Sequence, residues 1–305
     1  MQEYVLLDGN YIEKDKASLP IMTHAFLYGT SVFEGIRAYY NKDENQLYAF
    51  KVKEHYERLM RSAHVMHMEN PYTLEEYCDV TKKLLVKNAY KEDVYIRPNL
   101  FKSAQKIGPS LLHNKDSFLL FTLPMGDYID IENGLNVCVS SWRRNSDNAI
   151  PPQAKVAGAY VNTALIKSDA QLAGFDDAIV LDENGRVTEG SAMNLFLVQN
   201  GKLVTSRVTD NILIGVTRNT VMQLAKEVLK LEVEEREVSR TELYTSDEAF
   251  YCGTGAQISP IATIDHRKLG KGEVGPISKE LQKLYFDVVK GRVDKYKEWC
   301  MPIYD

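Results

Sequence analysis

Gln153-Ala154-Lys155-Val156-Ala157-Gly158-Ala159-Tyr160 sets one lysine among small and apolar residues, with no carboxylate within several positions on either side. Burial of an amine in such company disfavours its charged form, which lowers its pKa and leaves a nucleophile near neutral pH. Capture of an aldehyde needs such an amine. Downstream, Thr188-Glu189-Gly190-Ser191-Ala192-Met193-Asn194 places one carboxylate beside residues too small to cover it. Taken alone, Lys155 reads as a solvated surface lysine and Glu189 as a solvated strand residue, so the rest of the chain has to decide.

Outward from this stretch, 305 residues exceed the usual size of one domain, and two domains with a substrate crevice between them are expected. A net charge of −5 without a basic cluster argues against nucleic acid and against an anionic membrane surface. Apolar runs such as 117–123 have strand length, far short of the ~18 residues of a membrane span. The first nine residues carry no basic stretch followed by an apolar one, so a cytoplasmic, soluble protein is expected. Cys78, Cys138, Cys252 and Cys300 are widely spaced and form no C-x-x-C pair, which reads as free thiols. His64 and His67 could share a helical face, but no second ligand pair accompanies them and no metal is expected.

Asp8-Gly9 between apolar pairs predicts a hairpin with a type I′ turn. A strand over 47–52 leads into a helix over about 54–66, and Thr73-Leu74-Glu75-Glu76 is a capping box that opens a helix running to about Asn88. Strands follow over 94–97 and 117–123, after which Pro124-Met125-Gly126-Asp127-Tyr128 breaks the pattern. The predicted organisation is a small N-terminal α/β domain over 1–122, a linker over 123–133, and a large α+β domain over 134–305 that carries Lys155. In that second domain the sequence predicts a strand over 135–142, a helix over about 162–173 stopped by Gly174, and short hairpin turns at Asn184-Gly185 and Asn200-Gly201. An amphipathic helix over about 217–231, a short strand over 249–252 and a long helix from about Pro276 complete it. Gly215-Val216-Thr217 stands just before the first of these helices, where free amides and the helix dipole favour an anion. Alternation puts Tyr95 and Arg97 on one strand face.

His24-Ala25-Phe26-Leu27-Tyr28-Gly29-Thr30-Ser31-Val32-Phe33-Glu34-Gly35-Ile36-Arg37, Tyr95-Ile96-Arg97-Pro98, Ala154-Lys155, Glu189-Gly190, Gly215-Val216-Thr217-Arg218 and Gly253-Thr254-Gly255-Ala256 follow one another in this order over nearly the whole chain. In this the chain resembles the branched-chain amino-acid aminotransferases of the class IV, pyridoxal-phosphate fold-type IV group. The resemblance implies an α+β, two-domain fold of the D-amino-acid aminotransferase-like type with the active site at the domain interface, pyridoxal 5′-phosphate as cofactor, and a homodimer or higher homo-oligomer. Lys155 would hold the cofactor as a Schiff base and shuttle the substrate proton. Glu189 would pair with the pyridine nitrogen, Tyr160 with the phenolic oxygen, Leu213 would pack under the ring, and Arg58, Val216, Thr217 and Thr254 would hold the phosphate.

For the substrate, the resemblance implies Tyr95 and the turn at Thr254, Gly255 and Ala256 for the α-carboxylate, and Arg97 for the side-chain carboxylate of glutamate. Tyr28, from the second subunit, with Phe33, Gly35, Met125 and Tyr128 would wall the pocket. Two departures bear on specificity: Met125 stands where close bacterial relatives carry tryptophan, and Gly255 where alanine is common, so extra pocket volume is expected. The implied reaction moves the amino group of leucine, isoleucine or valine to 2-oxoglutarate. A D-amino-acid or (R)-amine transaminase, an aminodeoxychorismate lyase, and a cofactor-free binding protein share the scaffold as alternatives; Tyr95-x-Arg97 with Phe33-Glu34-Gly35-Ile36-Arg37 favours the branched-chain type.

Overall fold

A computed structural model describes residues 2–126 and 133–305. Tyr128 and the 127–132 part of the expected linker lie outside the described residues. The described residues divide into two compact units: one gathers those up to Gly126 together with Ala154–Gly158 and Val288–Asp305, the other holds the remaining described residues.

The first unit begins with β1 (Tyr4–Leu7) and β2 (Asn10–Glu13), joined by Asp8 and Gly9 at φ 45° and 82°, the two left-handed residues of a type I′ turn. Then come α1 (His24–Tyr28), β3 (Ser31–Phe33), β4 (Ile36–Asn41), β5 (Gln46–Phe50), α2 (Val52–Val65), α3 (Leu74–Asn88), β6 (Val94–Lys102) and β7 (Asp116–Pro124). The Thr73 hydroxyl accepts from the Glu76 amide at 3.3 Å and the Glu76 carboxylate from the Thr73 amide at 2.8 Å, so the capping box starts α3 as its sequence predicts. α2 ends at Val65, which leaves His67 beyond it with φ 48° and off the face of His64. Strand β6 is central, paired with β7 on one side and with β3 and β4 on the other. Its Val94, Ile96, Pro98 and Leu100 are buried while Tyr95 and Arg97 alternate onto the less buried face. Proline is tolerated in this central strand because Pro98 falls at the break between β3 and β4, where its carbonyl still accepts from the Glu34 amide at 3.0 Å.

The second unit holds β8 (Leu135–Arg143), α4 (Tyr160–Leu172), β9 (Asp177–Leu181), β10 (Val187–Gly190), β11 (Asn194–Gln199), β12 (Lys202–Thr205), α5 (Val216–Glu227), β13 (Val233–Glu235), α6 (Glu242–Thr245), β14 (Glu248–Gly253), β15 (Gln257–Ile264), β16 (Arg267–Lys268) and most of α7 (Pro276–Val289). Among the described residues they form a nine-stranded mixed sheet ordered β10-β9-β8-β15-β14-β11-β12-β13, with β16 on β15. Alternation divides β9: Ile179 and Leu181 join the large core with Val137, Leu195 and Tyr251, whereas Ala178 and Val180 meet Ile166 and Ala170 of α4. Asn200 and Gly201, at φ 51° and 74°, make the expected two-residue turn. The turn at Asn184-Gly185 joins β9 and β10 as the expected short antiparallel connection, with Gly185 left-handed at φ 78°. Val187 pairs with Leu181, the Asp182 amide donates to the Arg186 carbonyl at 2.8 Å, and the Asp182 carboxylate takes the amides of Asn184 and Arg186, so backbone and side chain close the loop together. α5 stops at Glu227, short of 231, because the amides of Val228 and Leu229 converge on one carbonyl, that of Leu224.

The last strand, β17 (Cys300–Pro302), pairs antiparallel with β5 and closes the first unit's sheet in the order β17-β5-β4-β6-β7-β1-β2, with β3 on β6. Among the described residues no helix is long and apolar enough to cross a membrane.

Candidate active site

In the first unit the site grows from the buried face of α2, where His55, Arg58 and Ser62 recur at helical spacing. Glu34 follows β3, wholly buried, and its carboxylate takes Arg58 Nε at 2.6 Å and Nη2 at 2.7 Å, a bidentate fork, with His55 Nδ1 at 2.8 Å. Burial pushes a carboxyl upward, but here the Arg58 charge and the hydrogen bonds from Arg58 and His55 overcome it and hold Glu34 well below the ordinary carboxylate range. Burial is also the largest influence on His55 and pushes it down, against the pull of Glu34. His55 is therefore neutral near pH 7, and its Nδ1–H donates a hydrogen bond to the carboxylate.

Lys155 is tied down through its backbone. Its amide donates to Ser62 Oγ at 3.1 Å, its carbonyl accepts from the Phe33 amide at 3.1 Å, and Val156 bridges Val32. One residue pair lets this segment lie so close: a Cβ on Gly29, itself left-handed at φ 67°, would come within 2.8 Å of Gly158 Cα. The lysine is half-buried rather than sealed in, with Nζ 5.0 Å from the centre of the Phe33 ring. On the same side of the fold, Arg97 lies over the Phe33 ring at 4.3 Å and gives Nε and Nη2 to the Tyr95 hydroxyl at 3.1 and 2.7 Å. Gly35 is required beneath it, since a Cβ there would overlap the Tyr95 hydroxyl and stand 3.1 Å from the ring carbons Cε2 and Cζ. Phe33, Gly35, Tyr95, Arg97 and Lys155 are thus gathered. Met125 is half-buried at the end of β7, its carbonyl held by Arg37 Nη2 at 2.6 Å. Tyr28 is engaged elsewhere, accepting from the Gly108 amide at 3.0 Å on the exposed helix α1.

In the second unit Glu189 is buried on β10. Arg144 Nη2 lies 2.6 Å from its Oε1 and Asn194 Nδ2 donates to its Oε2 at 2.9 Å. The same amide nitrogen of Asn194 reaches the Leu213 carbonyl at 2.9 Å, and its Oδ1 occupies the place a Cβ on Gly215 would need. One asparagine therefore joins Glu189, Leu213 and the start of α5. Glycine at that helix start provides no side-chain cap, which leaves the first-turn amides of Val216 and Thr217 to an outside acceptor. Gly190 is fixed by Tyr251, whose ring carbon Cε1 would stand 2.7 Å from an added Cβ. Thr254, Gly255 and Ala256 form the three-residue loop between β14 and β15, and Tyr160 opens α4 half-buried.

Sequence reasoning gave no role to Glu34, His55, Ser62, Arg144 or Asn194. Glu34 was the most legible of these, a charge in the apolar run Val32-Phe33-Glu34-Gly35-Ile36, where only a buried partner makes it tolerable. Group by group the residues suit an anionic aromatic aldehyde: the first unit offers an amine and a buried guanidinium, and the second offers uncapped helix amides and a carboxylate backed by a cation.

Residues 31–264 match the amino-transferase class IV family, and the chain belongs to that family. Its fold is the class IV fold that the sequence motifs imply. It is 46% identical to a probable branched-chain-amino-acid aminotransferase of Aquifex aeolicus, over 99% of this chain and 97% of that one. It is 36% identical to the branched-chain-amino-acid aminotransferase of Pseudomonas aeruginosa, over 96% and 94%. Among solved structures it is similar to the branched-chain aminotransferase of Thermoproteus uzoniensis with norvaline, at TM-score 0.95 and 38% identity over the whole of both chains. The Thermobaculum terrenum enzyme in its PLP form matches at TM-score 0.95 and 37% identity, over 100% and 99%.

Proposed function

We propose that this protein is a pyridoxal-phosphate-dependent branched-chain amino-acid aminotransferase, which moves the amino group of leucine, isoleucine or valine to 2-oxoglutarate and yields the 2-oxo acid and L-glutamate. The observation that carries the reading is the pinning of Lys155 at both its amide and its carbonyl, beside the buried Glu34–Arg58 pair. When bound, the cofactor supplies the aldehyde that accepts the amino group and the ring that draws electrons from the substrate's α-carbon.

The chain's own residues then divide the work. Lys155 Nζ tethers the cofactor and, once released, moves the proton of the α-carbon. Arg58, presented by Glu34, and the amides of Val216 and Thr217, helped by Thr254, bind the phosphate. Glu189 binds the ring nitrogen, Tyr160 the phenolic oxygen, and Leu213 packs against the ring. Tyr95 and the loop of Thr254, Gly255 and Ala256 receive the α-carboxylate. Arg97 leaves its Tyr95 hydrogen bond to meet the second carboxylate of glutamate, which an apolar pocket could not otherwise hold.

The enzyme acts as a homodimer or higher homo-oligomer. Ile21 and Phe26, 83% and 79% exposed around α1, with Ile107 at 76%, are more apolar surface than a free monomer needs. Four free cysteines suit the cytoplasm. The test is an absorption spectrum of the purified protein with paired L- and D-leucine assays. A near-visible band that shifts with L-leucine, and glutamate formed from 2-oxoglutarate, are expected. A colourless protein that stays inactive with added cofactor would overturn the reading, and preference for D-leucine would favour the D-amino-acid enzyme.

A further inference from the structure

We infer that Arg144 is a positioning residue that keeps the Glu189 carboxylate anionic and aimed, and thereby keeps the shared proton on the ring nitrogen that Glu189 receives. The inference rests on the reading just given and deepens it.

Glu189 is only 2% exposed, and a carboxylate taken out of water needs a charged or hydrogen-bonding partner to replace its hydration. A carboxylate and a pyridine that meet share one proton, which sits either on oxygen, leaving both groups neutral, or on nitrogen, leaving an ion pair. Between the first state and the second the O–H bond breaks, its electron pair stays on the carboxylate, and the same proton forms an N–H bond, so nothing else is gained or lost. A cation against the carboxylate stabilises the second arrangement, because only there is the carboxylate charged. Arg144 is that cation, with Nη2 2.6 Å from Oε1 and a side chain largely shielded from water.

Its placement is built rather than incidental. Arg144 directly follows β8, and its amide is bonded to the Leu181 carbonyl at 3.0 Å, so the side chain leaves from a fixed point. Asn194 holds the other oxygen, Oε2, and is itself locked by the Leu213 carbonyl and by Gly215. The charge thus comes from Arg144 and the direction from Asn194. Only a protonated ring withdraws electrons strongly from the α-carbon, so Arg144 acts on proton removal without touching the substrate.

The test uses the holoenzyme loaded with cofactor labelled with 15N in the ring, in wild type, Arg144→Gln and Arg144→Lys, with Arg144→Met as a second neutral variant should the glutamine variant fail to fold. In wild type the ring nitrogen should resonate as a pyridinium. Arg144→Gln or Arg144→Met should move it toward neutral pyridine and slow the single-turnover half-reaction with L-leucine at least tenfold, with KM little changed. Arg144→Lys should stay near the wild-type resonance. A pyridinium signal that persists in the neutral variants, or a lysine variant that behaves like them, would overturn the inference and leave Arg144 a structural residue, with a lowered melting temperature as its only trace. Wild type that binds the cofactor with an unprotonated nitrogen overturns the inference alone, whereas wild type that binds no cofactor overturns the function on which it rests.

Discussion

Arg97 is tied to Tyr95, the proposed partner of the substrate's α-carboxylate, and this makes its replacement diagnostic. In Arg97→Leu the Tyr95 hydroxyl loses both guanidinium hydrogen bonds, yet an apolar donor never used the charge. Loss of one partner of a desolvated charge pair costs about 2–5 kcal/mol. kcat/KM for glutamate and 2-oxoglutarate should therefore fall at least tenfold further than for leucine; equal losses would make Arg97 structural. Gly35 leads to a prediction of opposite kind. Its missing Cβ is the space taken by the Tyr95 hydroxyl, so Gly35→Ala should displace Tyr95 and, through it, Arg97. We expect KM to rise for leucine and glutamate together while cofactor binding, followed by absorbance, is unaffected. Retention of wild-type KM values for both would show that Tyr95 is dispensable to substrate binding.

Two helices carry predictions at the scale of elements. On α3, Thr73→Ala removes one half of a complete capping box and should cost about 1 kcal/mol, read as a lower urea midpoint with an unchanged slope. On α2, His55 is held neutral by burial, so below its ordinary value of 6.5 the unfolded chain binds a proton that the folded one refuses. Stability from this group is complete above about pH 6.5 and is lost as pH falls through the lower, folded value. Glu34, depressed far below 4.5, gives way only in stronger acid. His55→Asn keeps an N–H for Glu34 without the titration, so the fall in melting temperature between about pH 7 and pH 5.5 should shrink in that variant. An undiminished fall would place the acid sensitivity elsewhere. These elements also show what a sequence reveals. The capping box, the Asp8-Gly9 and Asn200-Gly201 turns and the alternation of Tyr95 and Arg97 are local and were legible, because their causes lie within a few residues. The Asn184-Gly185 turn was legible for the same reason, but not the Asp182 carboxylate that takes two of its amides. Glu34 with Arg58, and Glu189 with Arg144, are pairs separated by tens of residues, and no periodicity connects them.

At the scale of the whole molecule, the feature least visible in the sequence is the return of β17 to β5. Its three residues have no strand signal of their own, and the pairing is completed by Gln46, whose side chain takes the amides of Ile303 and Tyr304 and gives its own N–H to the Tyr304 carbonyl. Removal of residues 300–305 would leave β5 as an unpaired edge of a large sheet, a template for other chains. Such a truncated protein should be recovered as aggregate, and the scattering of its refolding mixture should exceed that of the full chain at equal concentration. The same geometry governs birth on the ribosome: β5 is translated long before β17, the strand that covers its edge. Throughout that interval the nascent chain carries an open edge, and chaperone occupancy should persist until β17 has left the exit tunnel.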